Sequence, residues 1–199
     1  MENEGSIAIV GGVPGVGKTT VINKALEFAS KNDFEILIIV YGSVMMEIAK
    51  EEFNVQHRDE LRKLPTNTQK EIQRRAAFRI GKRARGKVVI VDTHYTIKTA
   101  SGTFLQGIPQ WVSDGLNPKL LVLIETDPQE IFQRRAYDQS RTRDQDTVNV
   151  LFEHQLINKT VASTICQKTG ALLSVIKNRQ GKSDEAGKEL FLHLKALKS

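Results

Sequence analysis

Gly12-Val13-Pro14-Gly15-Val16-Gly17-Lys18-Thr19 lies between an apolar run at residues 7–10 and a helical pattern that opens at Lys18. The spacing is G-x-x-x-x-G-K-[ST], and the strand-to-helix setting is the one such a phosphate-binding loop requires. Glycines let backbone N–H groups turn inward around phosphate oxygens, and the start of the following helix adds positive potential. Lys18 then reaches the outer phosphates and the Thr19 hydroxyl is placed to ligate Mg²⁺. A glycine-rich turn of purely structural use would not need the Lys-Thr pair.

Outward from this loop the chain alternates. Short, apolar, β-branched runs at residues 7–10, 36–41, 87–92, 120–125 and 171–176 read as buried parallel strands. Helical patterns at 18–30, 44–53, 66–85, 128–138, 147–168 and 184–197 separate them, so the expected fold is α/β, a five-stranded parallel sheet with helices on both faces. In the first helix Val21, Ile22, Ala25, Leu26 and Ala29 form one apolar stripe. Asp127-Pro128 opens a later helix, a capping residue followed by proline at the first helical position. Two stretches read as irregular, 93–118 and the polar, arginine-bearing 138–146. Loops of this kind in a compact domain are usually functional or mobile.

With 199 residues, of which 40% are hydrophobic, the chain suits a single domain with a sizeable core. No window approaches the roughly 18 consecutive apolar residues that span a bilayer. The acidic N-terminus runs directly into the first strand, without the basic and long apolar regions of a secretory signal. One cysteine, Cys166, allows neither an intrachain disulfide nor a multi-cysteine zinc site, which fits a reducing interior. The net charge of +6 is compatible with anionic partners, but aromatic content is only 6%, too little to furnish stacking platforms for single-stranded nucleic acid. The arginines instead gather beside motifs, as discrete phosphate contacts would.

Asp92 ends the apolar run at residues 87–92, where an acid either holds Mg²⁺ directly or through water or serves as a turn residue. His94 either faces the same crevice or is a hydrogen-bonded structural histidine. A regulatory GTPase would carry D-x-x-G and N-K-x-D, whereas Tyr95 stands three residues after Asp92 and both Asn-Lys pairs lack the following Asp. A motor ATPase needs more chain and a second acid after Asp92. A small-molecule kinase must neutralise charge spread over two phosphorylated substrates, work suited to planar, permanently charged arginines. Arg134, Arg135, Arg141 and Arg143 lie in one helix-to-loop segment and read as part of a lid over a triphosphate.

The loop through Thr20, with Tyr41-Gly42-Ser43, Arg58-Asp59-Glu60-Leu61-Arg62-Lys63-Leu64, Asp92-Thr93-His94, Thr99-Ala100-Ser101-Gly102, Gly107-Ile108-Pro109, Glu125-Thr126-Asp127-Pro128 and Arg141-Thr142-Arg143-Asp144, resembles archaeal-type adenylate kinase over most of the chain. The resemblance implies a cytoplasmic, typically homotrimeric enzyme that interconverts ATP plus AMP and two ADP with Mg²⁺ and has a short lid without zinc. It divides the single domain into a core (1–41, 87–137, 147–199), a monophosphate-binding region (42–86) and a lid (about 138–146). Gly12, Val13, Pro14, Gly15, Val16, Gly17, Lys18, Thr19, Thr20 and Arg134 become the ATP site. Lys18, Arg141 and Arg143 become catalytic, and Thr19 and Asp92 the metal ligands. Gly42, Ser43, Arg58, Arg62 and His94 border AMP, with Arg58 or Arg62 on its phosphate. Neither nucleic acid nor membrane is an expected partner. The alternative within the class is a kinase for other nucleoside monophosphates. Ser43 stands where the family usually has an acid, which bears on base selectivity. Tyr137 stands where an arginine is expected, which weakens the lid's charge or shifts its role to Arg135.

Overall fold

The computed structural model describes residues 5–137 and 146–198. Five strands, β1 (Ser6–Gly11), β2 (Leu37–Val40), β3 (Val88–Asp92), β6 (Leu120–Glu125) and β7 (Leu172–Lys177), form one parallel sheet in the order β2-β3-β1-β6-β7. The helices are α1 (Lys18–Lys31), α2 (Tyr41–Phe53), α3 (Arg58–Lys63), α4 (Thr66–Ala84), α5 (Gln110–Leu116), α6 (Pro128–Tyr137), α7 (Val148–Thr169) and α8 (Ser183–Ala196).

Side chains alternate across the sheet with period two, and the two faces feed separate cores. Ile7, Ile9, Val89, Val91, Leu121 and Leu123 pack with α2, α4, α5 and α7. Ala8, Val10, Val88, Ile90, Val122 and Ile124 pack mainly with α1 and α8. Both faces being covered explains why the strands read as continuous apolar runs. The sheet predicted from sequence is therefore the one observed, with boundaries moved by a residue or two.

One boundary matters for the site. Tyr41, expected to end β2, instead begins α2: its ring is buried, and its hydroxyl donates to the Gln73 carbonyl of α4 at 2.7 Å. Ser43 thus lies inside the first turn and does not cap the helix. The stretch at 93–118, expected to be irregular, holds the antiparallel hairpin β4 (Thr96–Lys98) and β5 (Phe104–Gln106), followed by α5. Strands of three residues are too short to establish a period. The six-residue α3 was also not foreseen, because it buries no side chain; it is held by local hydrogen bonds, Glu60 Oε2 accepting from the Gln56 N–H (2.7 Å) and the His57 N–H (3.3 Å).

Register brings the working ends together. Val10 pairs with Asp92 and Asp92 with Val40, so the loop after β1, Thr93 after β3 and Tyr41 after β2 sit side by side at the carboxyl edge. Tyr95 braces this edge from beneath. It is fully buried, and its hydroxyl lies 3.2 Å from the carbonyls of both Ile9 and Val122. A Cβ on Gly11 would stand 2.6 Å from its ring, so the absence of a side chain there admits the tyrosine. Loss of a buried hydroxyl bond costs about 1–2 kcal/mol. Tyr95→Phe is therefore expected to lower the thermal midpoint by about 2–8 °C in calorimetry.

Candidate active site

The loop between β1 and α1 is built on glycines for two reasons. A Cβ at Gly12 would lie 2.6 Å from the Ile124 carbonyl oxygen. Gly15 and Gly17 adopt φ of 99° and 84°, left-handed conformations that strain any other residue. Gly17 occupies the cap position of α1, no described side chain caps that end, and no acid lies in its first turn. The first amides of a 14-residue helix are thereby left with positive potential and without an internal partner.

What the loop does with its carbonyls is the informative feature. The Gly12 oxygen lies 3.4 Å from His94 Nδ1. Pro14 O accepts from Arg135 Nε at 2.8 Å. Val16 O accepts from Arg134 Nη1 at 3.1 Å and from Asn178 Nδ2 at 2.7 Å. Three alternate carbonyls are thus pinned by side chains from other elements. In a trans peptide the following N–H points away from the carbonyl. Pinning Gly12, Pro14 and Val16 outward therefore turns the amides of Val13, Gly15 and Gly17 the other way, as a cradle for an anion requires.

Lys18 opens α1 and meets the end of β3. Its ammonium pairs with Asp92 Oδ1 and donates to Thr93 O at 3.2 Å. Burial pushes this ammonium down to about 8, an effect that the adjoining carboxylate opposes. Thr19 and Thr20 are exposed on the first turn. A threonine hydroxyl and the Asp92 carboxylate are hard oxygen donors of the kind Mg²⁺ takes alongside phosphate and water. Burial, and then the Lys18 charge, lower the His94 pKa, so the imidazole is neutral at pH 7 and touches Gly12 O with its Nδ1 proton.

The residues expected around a second ligand divide. Gly42 lies in the first turn of α2, and the Arg58 guanidinium is 3.9 Å from where a Gly42 Cβ would stand, so these two are brought together. Ser43 is exposed beside them. Arg62 is exposed and pairs with Asp59, 3.6 Å away on the same helix. Arg134, expected at a nucleotide, is held by Glu130 (2.8 Å) and the Asn178 carbonyl (3.1 Å) while it clamps the loop. Arg141 and Arg143 lie outside the described residues. Sequence reasoning did not find Asn178, Glu130, Lys98 or Asp146. Asn178 begins the connection after β7, more than 160 positions from the loop it clamps. No local pattern announces it.

Lys18 can attract a phosphate only in its charged form. Its affinity contribution is therefore present at low pH and lost as pH rises through its pKa. Calorimetric affinity for a nucleoside triphosphate is expected to fall at pH values from about 8 upward. Lys18→Met is expected to bind more weakly and without this alkaline limb.

The chain has relatives over nearly its full length. The family described as an AAA domain matches residues 11–151. Adenylate kinase of Methanocaldococcus jannaschii is 46% identical over 189 residues, 95% of this chain and 98% of that protein. Adenylate kinase of Methanopyrus kandleri is 45% identical over 195 residues, 97% of this chain and all of that protein. Among solved structures, a shikimate kinase from Bacteroides thetaiotaomicron has a TM-score of 0.52 with 13% identity, covering 96% of this chain and 98% of that one, a likeness of fold alone. With nearly full-length identity above 40% to such proteins, the chain belongs to the archaeal-type adenylate kinase family.

Proposed function

We propose that the protein is an ATP:AMP phosphotransferase, catalysing reversible Mg²⁺-dependent phosphoryl transfer from ATP to AMP with formation of two ADP. One observation carries the reading: the register Val10–Asp92–Val40 sets the clamped phosphate loop beside the start of α2, where Arg58 flanks Gly42. In this reading the loop takes one phosphorylated ligand and the Arg58–Gly42 neighbourhood a second. A single-nucleotide hydrolase has no use for the second.

In this reading the loop amides and Lys18 bind the ATP triphosphate, with Arg134 beside it. Arg58, with Gly42 and Ser43, receives the AMP phosphate at the start of the monophosphate-binding region, 42–86. On binding, Lys18 leaves Asp92 for the phosphates, which frees the carboxylate. Thr19 and Asp92 would hold Mg²⁺, directly or through water, and its charge would help neutralise the phosphates. Phosphoryl transfer needs little covalent help from protein, so positioning and electrostatics do most of the catalysis. Arg141 and Arg143, in the lid at about 138–146, supply further positive charge to the transferred group. His94 acts by bracing Gly12 O near the AMP side.

The enzyme works in the cytoplasm as a homotrimer, a reading supported by its family alone. Among the described residues no helix is long and apolar enough to cross a membrane. Ser43, where the family carries an acid, makes base choice the point to measure.

A coupled assay with ATP, Mg²⁺ and each common nucleoside monophosphate is expected to give AMP the highest kcat/KM. Arg141→Ala and Arg143→Ala are expected to lower kcat about 10³-fold or more. Preference for another monophosphate would replace the AMP assignment, and turnover of ATP without any acceptor would remove the second site. Light scattering is expected to return three times the 22.3 kDa chain mass. A monomer mass at working concentration would refute the trimer.

A further inference from the structure

Arg135 lies flat across the crown of the phosphate loop. Besides donating Nε to Pro14 O, it sits against Gly15: a Cβ there would be 3.2 Å from its Cγ and 3.3 Å from its Nε. Its other end does not point at the loop. Nη1 donates to Asp146 Oδ2 at 2.7 Å, and Asp146 Oδ1 pairs with Lys98 on the hairpin strand β4. The side chains of Arg135 and Asp146 are only 11% and 8% exposed, so solvent does little to screen the contact.

We infer that Asp146 is a positioning residue of the ATP site: acting through Arg135, it fixes the Pro14–Gly15 peptide and so aims the Gly15 amide at the bound phosphates, while Lys98 anchors it to the hairpin.

A guanidinium near a triphosphate site would otherwise be drawn to the phosphates, and leaving Pro14 O would release the peptide that it holds. The carboxylate of Asp146 balances that pull with a second, charge-assisted bond on the far side of the same planar fork. The peptide at stake also has a conformational alternative, because Gly15 is in a left-handed conformation that glycine leaves as easily as it enters. Burial raises the Asp146 pKa, yet the hydrogen bonds from Lys98 and Arg135 outweigh it and hold the carboxyl below its usual value. The group is therefore ionised throughout the neutral range. Lys98 is needed in turn, since one arginine could otherwise drag a lone carboxylate from its place. The hairpin carrying Lys98 is itself tied to the sheet edge, because Tyr95, the residue before β4, braces Ile9 and Val122.

The inference rests on the loop being the triphosphate site. It predicts a selective defect. Asp146→Asn keeps the volume and removes the charge. It is expected to weaken binding of a non-hydrolysable ATP analogue by about tenfold or more, the size of one lost charge-assisted hydrogen bond, while AMP affinity stays within about twofold. Asp146→Glu is expected to recover part of the loss. Arg135→Lys cannot hold both partners and is expected to show the same defect, and the double variant no more than either single one, because the two act as a unit. Thermal midpoints measured alongside separate this from general destabilisation.

An Asn variant that binds the analogue as tightly as the parent would overturn the positioning role, as would equal losses for AMP or fully additive effects in the double variant. If the parent itself failed to bind the analogue, the assignment of the loop would be at fault and the positioning role would fall with it.

Discussion

The loop's outward carbonyls have to be held by something other than the loop. A run of six residues that turns its amides toward an anion necessarily turns carbonyls away from it, and those oxygens need donors. Here the donors come from three places far apart in the chain: His94 after β3, Arg134 and Arg135 on α6, and Asn178 after β7. The rest of the molecule is arranged so that these side chains arrive at one loop. Strand order puts β1 between β3 and β6, so residues following its neighbours reach across to the Gly12, Pro14 and Val16 oxygens. α6 then crosses the crown of the loop with two successive arginines facing it, one to each side of Gly15.

The same arrangement organises charge. Lys18 has Asp92, Arg134 has Glu130 and Arg135 has Asp146, so each cation nearest the loop carries its own acid. This matters in the ligand-free protein, where clustered, half-buried cations would repel one another. In the proposed reading ligand binding is an exchange of partners: Lys18, whose burial lowers its hold on a proton, leaves Asp92, which then becomes available as an oxygen donor for a hard cation. Arg134 and Arg135 differ in that each also holds a loop carbonyl.

Packing makes the arrangement rigid where it must be. Two cores on the two faces of the sheet fix β1 and β3, and Tyr95 ties the strand ends together from below. By contrast α3 buries no side chain, and Arg58 and Arg62 on it are exposed. The phosphate loop is therefore set by the core, whereas the arginine beside Gly42 stands on an element that adds only the half-buried Leu61 to it. The division suits a site whose two halves have to admit two ligands.

Much of this was legible in the residues. Apolar runs bounded by helical patterns determined a doubly covered parallel sheet, since a strand buried on both faces has no other way to appear. G-x-x-x-x-G-K-T determined the phosphate loop, because left-handed glycines at residues 15 and 17 and a lysine at a helix start have a mechanism in that order. The motifs spread along the chain carried the family. The three-residue strands β4 and β5 and the short α3, which has no buried stripe, were not legible, and Tyr41 read as strand because its aromatic character is shared by both states. Nor could the residues by themselves say which arginine does what. Arg134 and Arg135 are adjacent and chemically alike, yet one clamps Val16 with Asn178 and the other clamps Pro14 with Asp146. That division depends on partners brought in from Glu130, Asp146, Lys98 and Asn178. Hydrogen bonds between residues up to about 160 positions apart leave no mark on local composition, so only the tertiary structure decided how the loop's backbone is held.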